Sequence, residues 1–225
     1  DRQVDVWYPA APVDGPDAVD RAEDEFAPRL RALLPAGLSL TVDLHGHRDA
    51  PPTGADHPLV LFAHGIFSWR DQSAALMAHL ASWGLVVASP DLPEYGLSAL
   101  SFPGVPFFGD SEAGMDEVVA RLRAEQSGTG LLAGRIDLDE IAVTGHSLGG
   151  ALATLYSTRP FIRAYVPLAS ALVAPQAGGG AGKPAMWIRA TTDQTHADAL
   201  LPVAEAAATG PTAVVSIRGG GHVGP

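Results

Sequence analysis

The sequence predicts an α/β protein, a mostly parallel central sheet with helices on both faces. Two observations carry this. Short apolar, β-branched runs alternate with longer amphipathic or alanine-rich ones along most of the chain, the pattern of strands joined by crossover helices. The 225 residues are 47% hydrophobic, enough for one sizeable core, and no repeat or linker marks a second. Residues 1–225 are therefore expected to form a single domain.

Taken in order, "DRQVDVWYP" alternates Val4, Val6 and Tyr8 as a half-buried strand does. Residues 17–34 carry Val19, Phe26, Leu30 and Leu33 at roughly helical spacing among charges, which predicts an amphipathic helix broken or started late at Pro28. Residues 38–57 fit no period and end in a loop-like stretch, "HRDAPPTGADH". "PLVLFAHG" is continuous and apolar, as a strand buried on both faces should be. A helix over residues 71–83 and the strand "LVVAS" follow, then a long loop, 90–110, holding Tyr95, Phe102, Phe107 and Phe108. Next come a helix from Ser111 to about residue 126, the strand "EIAVTG" and a helix over residues 148–158. "RAYVPLA", the glycine-rich "AGGGAGK", "PAMWIRA", a helix over 196–210 and "TAVVSI" complete the series, and "RGGGHVG" closes it.

Charge narrows the partners. Fourteen Lys and Arg against 25 Asp and Glu give a formal charge of −11, which disfavours nucleic acid, bound largely through cationic phosphate contacts, and acidic membrane surfaces. There is no cysteine, so disulfides, thiolate chemistry and cysteine metal sites are excluded. No apolar run approaches a membrane span. The chain starts at Asp1 rather than Met and stops three residues after His222, so trimming at both ends is expected.

The chemistry concentrates in "AVTGHSLGGALA". Gly145-His146-Ser147-Leu148-Gly149 fits G-x-S-x-G between a strand and a helix, where a sharp turn exposes a serine hydroxyl. The alternative, a serine that merely caps the helix, is weakened by that strand, turn and helix order. A nucleophilic serine needs a base and an orienting acid, because its own hydroxyl is scarcely ionised near neutral pH. In this architecture they follow in the order acid, then histidine. His222 lies in the glycine-rich loop after the last strand, and Asp193 follows "PAMWIRA" at a strand's C-terminal edge, where open α/β sheets place their sites. Asp198 is the rival acid, but the expected helix carries it away from the edge.

For a developing oxyanion, the amide of Leu148 opens the helix, and the loop "HGIFSW" offers that of Ile66, with Phe67 as runner-up. His64 reads as a loop-shaping residue and His146 as one packed beneath the elbow. His45 and His47 form an H-x-H pair without an acidic or histidine partner at recognisable spacing, so no metal site is expected. Phe67, Trp69, Phe107 and Phe108 are candidate walls of a substrate pocket.

Together, "VDVWYPA", "LFAHGIFSWRDQSAALMAHLASWGLVVASPD", "IDLDEIAVTGHSLGGALA", Asp193 and His222 resemble the α/β-hydrolase superfamily. Within it they are similar to dienelactone-hydrolase-like and platelet-activating-factor acetylhydrolase-like esterases and to cutinase-type polyester hydrolases. The resemblance runs from residue 58 onward and implies Ser147 as nucleophile, Asp193 as acid, His222 as base, Ile66 and Leu148 as oxyanion amides, and no cofactor. It implies a serine ester hydrolase acting on a small-molecule, lipid or polymer ester, and with the missing initiator methionine it makes secretion an expectation. Dienelactone hydrolases proper use a cysteine nucleophile, absent here. The polyester enzymes commonly place a clamping aromatic where this chain has Ser170 and Ala171. An acyltransferase or peptidase would use the same three residues, and a non-catalytic binding protein that kept the fold is the less favoured alternative, since losses among the three would support it and all three are present.

Overall fold

The computed structural model describes residues 2–26, 31–33, 35, 37–97, 110–170, 182–195 and 201–223. Seven strands form one sheet in the order β1, β5, β4, β6, β7, β8, β9, and β2 with β3 makes a separate two-stranded ribbon. The chain divides into two compact units, Asp1–Leu59 with Phe67–Leu138, and Val60–Ile66 with Asp139–Pro225.

In the first unit, β1 (Val4–Trp7) runs antiparallel to β5 (Val86–Pro90), with Val4 opposite Pro90 and Trp7 opposite Val87. All five residues of β5 are buried, as expected of a continuous apolar run inside a sheet. Helices α1 (Ala74–Ser82) and α2 (Ser111–Ser127) bury Met77 and Met115. After β5, Leu92 and Tyr95 are fully buried, so the first part of the long loop is packed down. A cavity of about 1040 Å³ in this unit is lined by Trp7, Tyr8, His47, Arg121 and Leu132 among others.

Of the helix expected over residues 17–34, residues 17–26 are not α-helical, and residues 27–30 and 34 lie outside the described residues. Instead β2 (Val19–Arg21) pairs antiparallel with β3 (Thr41–Asp43), and a 3₁₀ turn follows at Ala22–Glu25. The amide of Ala18 donates to Gly46, that of Leu44 to Ala18 and that of Ala22 to Leu40. These cross-chain bonds occupy the groups a helix would pair four residues away, and β-branched Val19 suits the extended state. Glu23 then accepts the Leu40 amide at 2.8 Å.

Asp20 and Glu25 are recruited by Arg70. Its guanidinium side chain, 8% exposed, meets Asp5 at 2.8 Å, Asp20 at 3.2 Å, Glu25 at 2.6 Å and Asp91 at 2.9 Å. A planar fork with five donors can serve several carboxylates at once. Burial, with Asp5 close by, pushes the neighbouring Asp71 carboxyl up to about 8.

In the second unit, the later parts of β4 (His57–Ala63) and of β6 (Ile136–His146), with β7 (Ile162–Leu168), β8 (Ala185–Ala190) and β9 (Thr212–Ile217), supply the strands. Pairs β6 with β7, β7 with β8 and β8 with β9 are parallel. Helices α3 (Leu148–Tyr156) and α4 (Leu201–Ala207) lie between them in sequence. Strand β6 is longer than the sequence suggested, because Ile136 and Ile141 anchor both halves in the core. Chain order reverses direction across the sheet on either side of β4, the kind of switch point beside which open α/β sheets bind ligands.

Candidate active site

Ser147 sits between the end of β6 and the start of α3 with φ 55° and ψ −117°. A non-glycine residue is held there only at a cost of about 1–3 kcal/mol, which surrounding structure must offset. Its amide donates to Leu168 at the end of β7 at 2.8 Å, and its carbonyl accepts from Ala151 at 3.2 Å. The flanking glycines are a packing requirement. A methyl group on Gly149 would lie 2.5 Å from the Ala63 carbonyl carbon and closer still to the oxygens of Ala63 and His64, and one on Gly145 would run into Gly149. The turn is therefore pressed against the last residues of β4, and the strained serine is pinned from both sides.

The loops after β8 and β9 are laced together. Thr192 donates its amide to the Gly220 carbonyl at 3.0 Å and its hydroxyl at 2.6 Å, and the Gly219 amide donates to the Thr191 hydroxyl at 2.8 Å. Gly219 has φ +76°, a conformation in which a side chain would be strained. This lacing brings Asp193 and His222 together. His222 Nδ1–H donates to Asp193 Oδ2 at 2.8 Å, and His222 Nε2 accepts from the Ser147 hydroxyl at 2.9 Å. The second oxygen of Asp193 accepts the Thr195 amide at 2.9 Å and hydroxyl at 2.7 Å. Burial pulls the Asp193 carboxyl up, but the bonds from His222 and Thr195 outweigh it and hold the group below its ordinary value. An anionic acid, an imidazole of fixed tautomer and a serine hydroxyl thus stand in one relay.

The sequence model of the "Alpha/beta hydrolase family" matches residues 60–216. The chain belongs to the alpha/beta hydrolase family. Among solved structures, a ferulic acid esterase from Streptomyces cinnamoneus is similar, with TM-score 0.66 and 25% identity over 98% of this chain and 67% of its own. A candidate dienelactone hydrolase from Klebsiella pneumoniae subsp. pneumoniae MGH 78578 gives TM-score 0.59 and 19% identity, covering 77% of this chain and 79% of its own. DcsB, solved with a substrate analogue, gives 0.59 and 11%, covering 75% and 84%. The last two share the fold. A comparison with curated proteins finds no match.

Around the relay of this alpha/beta hydrolase, the fully buried His64 directs Nδ1 to the Gly65 carbonyl at 2.8 Å, in keeping with a loop-shaping role. Ile66 and Phe67 are exposed, at 38% and 47%, and Trp69 is half-buried. The amide of Phe67, the runner-up expected for oxyanion binding, donates to the Tyr95 carbonyl at 2.8 Å. Leu148 opens α3. Phe102, Phe107, Phe108, Ala171 and Asp198 lie outside the described residues.

His146 is not simply packed beneath the turn. Its Nε2–H donates to the His222 carbonyl at 2.6 Å, and the two rings stand 4.8 Å apart. Burial keeps its pKa below the ordinary histidine value, so the tie is made by a neutral ring. Thr195 escaped the sequence reading, although D-x-T is the pattern in which a carboxylate caps its own turn. His45 does have acidic neighbours, Asp43 and Asp17, which sequence spacing concealed, but all three are exposed. The described cavity in the first unit includes none of Ser147, Asp193 or His222. No helix among the described residues is long and apolar enough to cross a membrane.

Proposed function

We propose that this alpha/beta hydrolase is a serine ester hydrolase working through an acyl-enzyme on Ser147. The observation that carries the reading is the continuous relay from Ser147 Oγ through His222 to Asp193, at 2.9 and 2.8 Å, on a serine in the strained conformation of a nucleophile elbow. Ser147 Oγ attacks the ester carbonyl as His222 Nε2 takes its proton. Asp193 holds the ring and stabilises the imidazolium. The amides of Leu148 and Ile66 receive the oxyanion, each donor worth about 3 kcal/mol in the transition state. His222 returns its proton to the leaving alcohol, and water, deprotonated by the same nitrogen, releases the acid and regenerates the hydroxyl.

For the substrate, the exposed apolar side chains of Ile66 and Phe67 suit an apolar or aromatic ester group. Similarity to a ferulic acid esterase supports an aromatic acyl group. The test is hydrolysis of methyl ferulate beside a p-nitrophenyl ester series from acetate to palmitate, with fluorophosphonate labelling of the serine. Wild-type turnover and labelling are both expected to vanish in Ser147→Ala. Turnover that survives this substitution, or a folded wild type inert toward every ester, would refute the reading.

A further inference from the structure

The carboxylates of the first unit outnumber their cations. Asp5, Asp20, Glu25 and Asp91 converge on Arg70, and Arg48 adds a contact to Asp20 at 3.4 Å. Asp71 is the fifth carboxylate. It is 1% exposed, and neither of its oxygens has a hydrogen-bond donor. It faces Asp5 and Asp20: one oxygen from each of the three can be chosen so that all lie within 4.8 Å of one another. Ionised carboxylates only accept hydrogen bonds, so the three cannot satisfy one another. With all five ionised, two guanidinium groups leave an excess of three negative charges.

A buried carboxylate left in this state is strongly unfavourable, and something positive must offset it. Arg70 acts on Asp71 only through space, with no hydrogen bond to either of its oxygens. What remains is a proton held between Asp71 and its neighbour, or a metal ion. The donors are all oxygen, which selects hard cations. Calcium bonds oxygen at about 2.3–2.6 Å, so ligands on one ion are separated by up to roughly 5 Å, a span that accommodates this trio. Each ligand also comes from a different part of the chain: Asp5 from β1, Asp20 from β2, and Asp71 from the turn into α1, where its carbonyl accepts the Ala74 amide at 3.1 Å. We propose that Asp5, Asp20 and Asp71 form a structural site for a hard divalent cation, calcium foremost, that ties the amino-terminal segment to the turn before α1. The site stands apart from the Ser147 relay and does not depend on the reaction proposed for it.

The test uses chelator-stripped protein titrated with calcium chloride, and with magnesium chloride in parallel, by calorimetry and thermal unfolding. One calcium per chain is expected, with a rise in Tm of about 5–10 °C when calcium is at about 100 times Kd. Asp71→Asn should abolish both, while Asp43→Asn, in the exposed Asp17, Asp43 and His45 group, should leave both intact. The proposal is overturned if neither cation binds below about 1 mM, the weak end of protein calcium sites. It is overturned equally if binding survives Asp71→Asn and is lost in Asp43→Asn, or if Asp71→Asn stabilises a protein whose wild type ignores calcium, since a proton then does the work. Should Asp71→Asn fail to fold, anomalous diffraction from wild-type crystals soaked in manganese decides: a peak in bonding distance of Asp5 and Asp71 supports the site, and its absence overturns it.

Discussion

Gly149→Ala tests whether the serine turn depends on close approach to β4. The added methyl carbon would sit 2.5 Å from the Ala63 carbonyl carbon, with the oxygens of Ala63 and His64 nearer still. Carbon atoms in contact settle at about 3.5–4.0 Å, so α3 and the end of β4 must part by roughly 1 Å. The obstacle is backbone, which cannot swing aside as a flexible side chain can. Overpacking of this kind costs about 1–3 kcal/mol, and at about 2–4 °C per kcal/mol for a chain this long, Tm should fall by roughly 2–12 °C. The effect on rate should be larger in proportion, because Leu148, the proposed oxyanion donor, is the preceding residue. A misplacement of about 1 Å costs on the order of 100-fold in turnover. Thermal unfolding and kcat/KM on p-nitrophenyl acetate measure the two effects. Gly46→Ala is the control: its nearest neighbour is the Leu44 oxygen at 4.0 Å, so both quantities should stay near wild type. If Gly149→Ala matches that control in both, the close-approach argument is wrong.

Asp193→Asn should lower kcat by about 10⁴-fold with little change in Tm, because an amide that donates to His222 Nδ1 fixes the wrong tautomer; a loss under tenfold would remove Asp193 from the relay. His146→Gln probes acid sensitivity. Burial depresses the His146 pKa, so its contribution to stability is full above the ordinary value of 6.5 and falls as pH drops below it toward the depressed value. The wild-type Tm should therefore decline more steeply than the variant's on the acid side of 6.5, and parallel Tm curves would refute this. Arg70→Met should lower Tm by roughly 6–20 °C, since removing the cation from a buried pair costs about 3–5 kcal/mol; an unchanged Tm would show that the surrounding carboxylates do not need it.

The relay was legible because each member is marked locally. Ser147 has its glycines and a strand-to-helix junction, and Asp193 and His222 each follow a strand whose apolar run ends abruptly. Such punctuation needs no knowledge of distant partners. Residues 17–26 failed for the opposite reason. Their spacing resembles a helix, but their backbone bonds go to Leu40, Leu44 and Gly46, some twenty residues on, and their charges go to Arg70, farther still. Nothing in a short window distinguishes an aspartate on a solvated helix face from one bound for a buried guanidinium. The same blindness hid Asp71, which reads as an ordinary helix-start residue and is 1% exposed.

Ile66 and Phe67 illustrate a division of labour with an evolutionary consequence. On the reading above, Ile66 contributes through its main-chain N–H, while the Phe67 N–H is committed to Tyr95; the side chains of both are exposed. Replacing either side chain leaves the main-chain group where it was, apart from proline, which would delete the N–H at either position and cannot adopt the positive φ of residue 67. Positions 66 and 67 can therefore drift toward new ester preferences without trespassing on the reaction, and a saturation library there should return variants that differ in substrate far more often than variants that are dead.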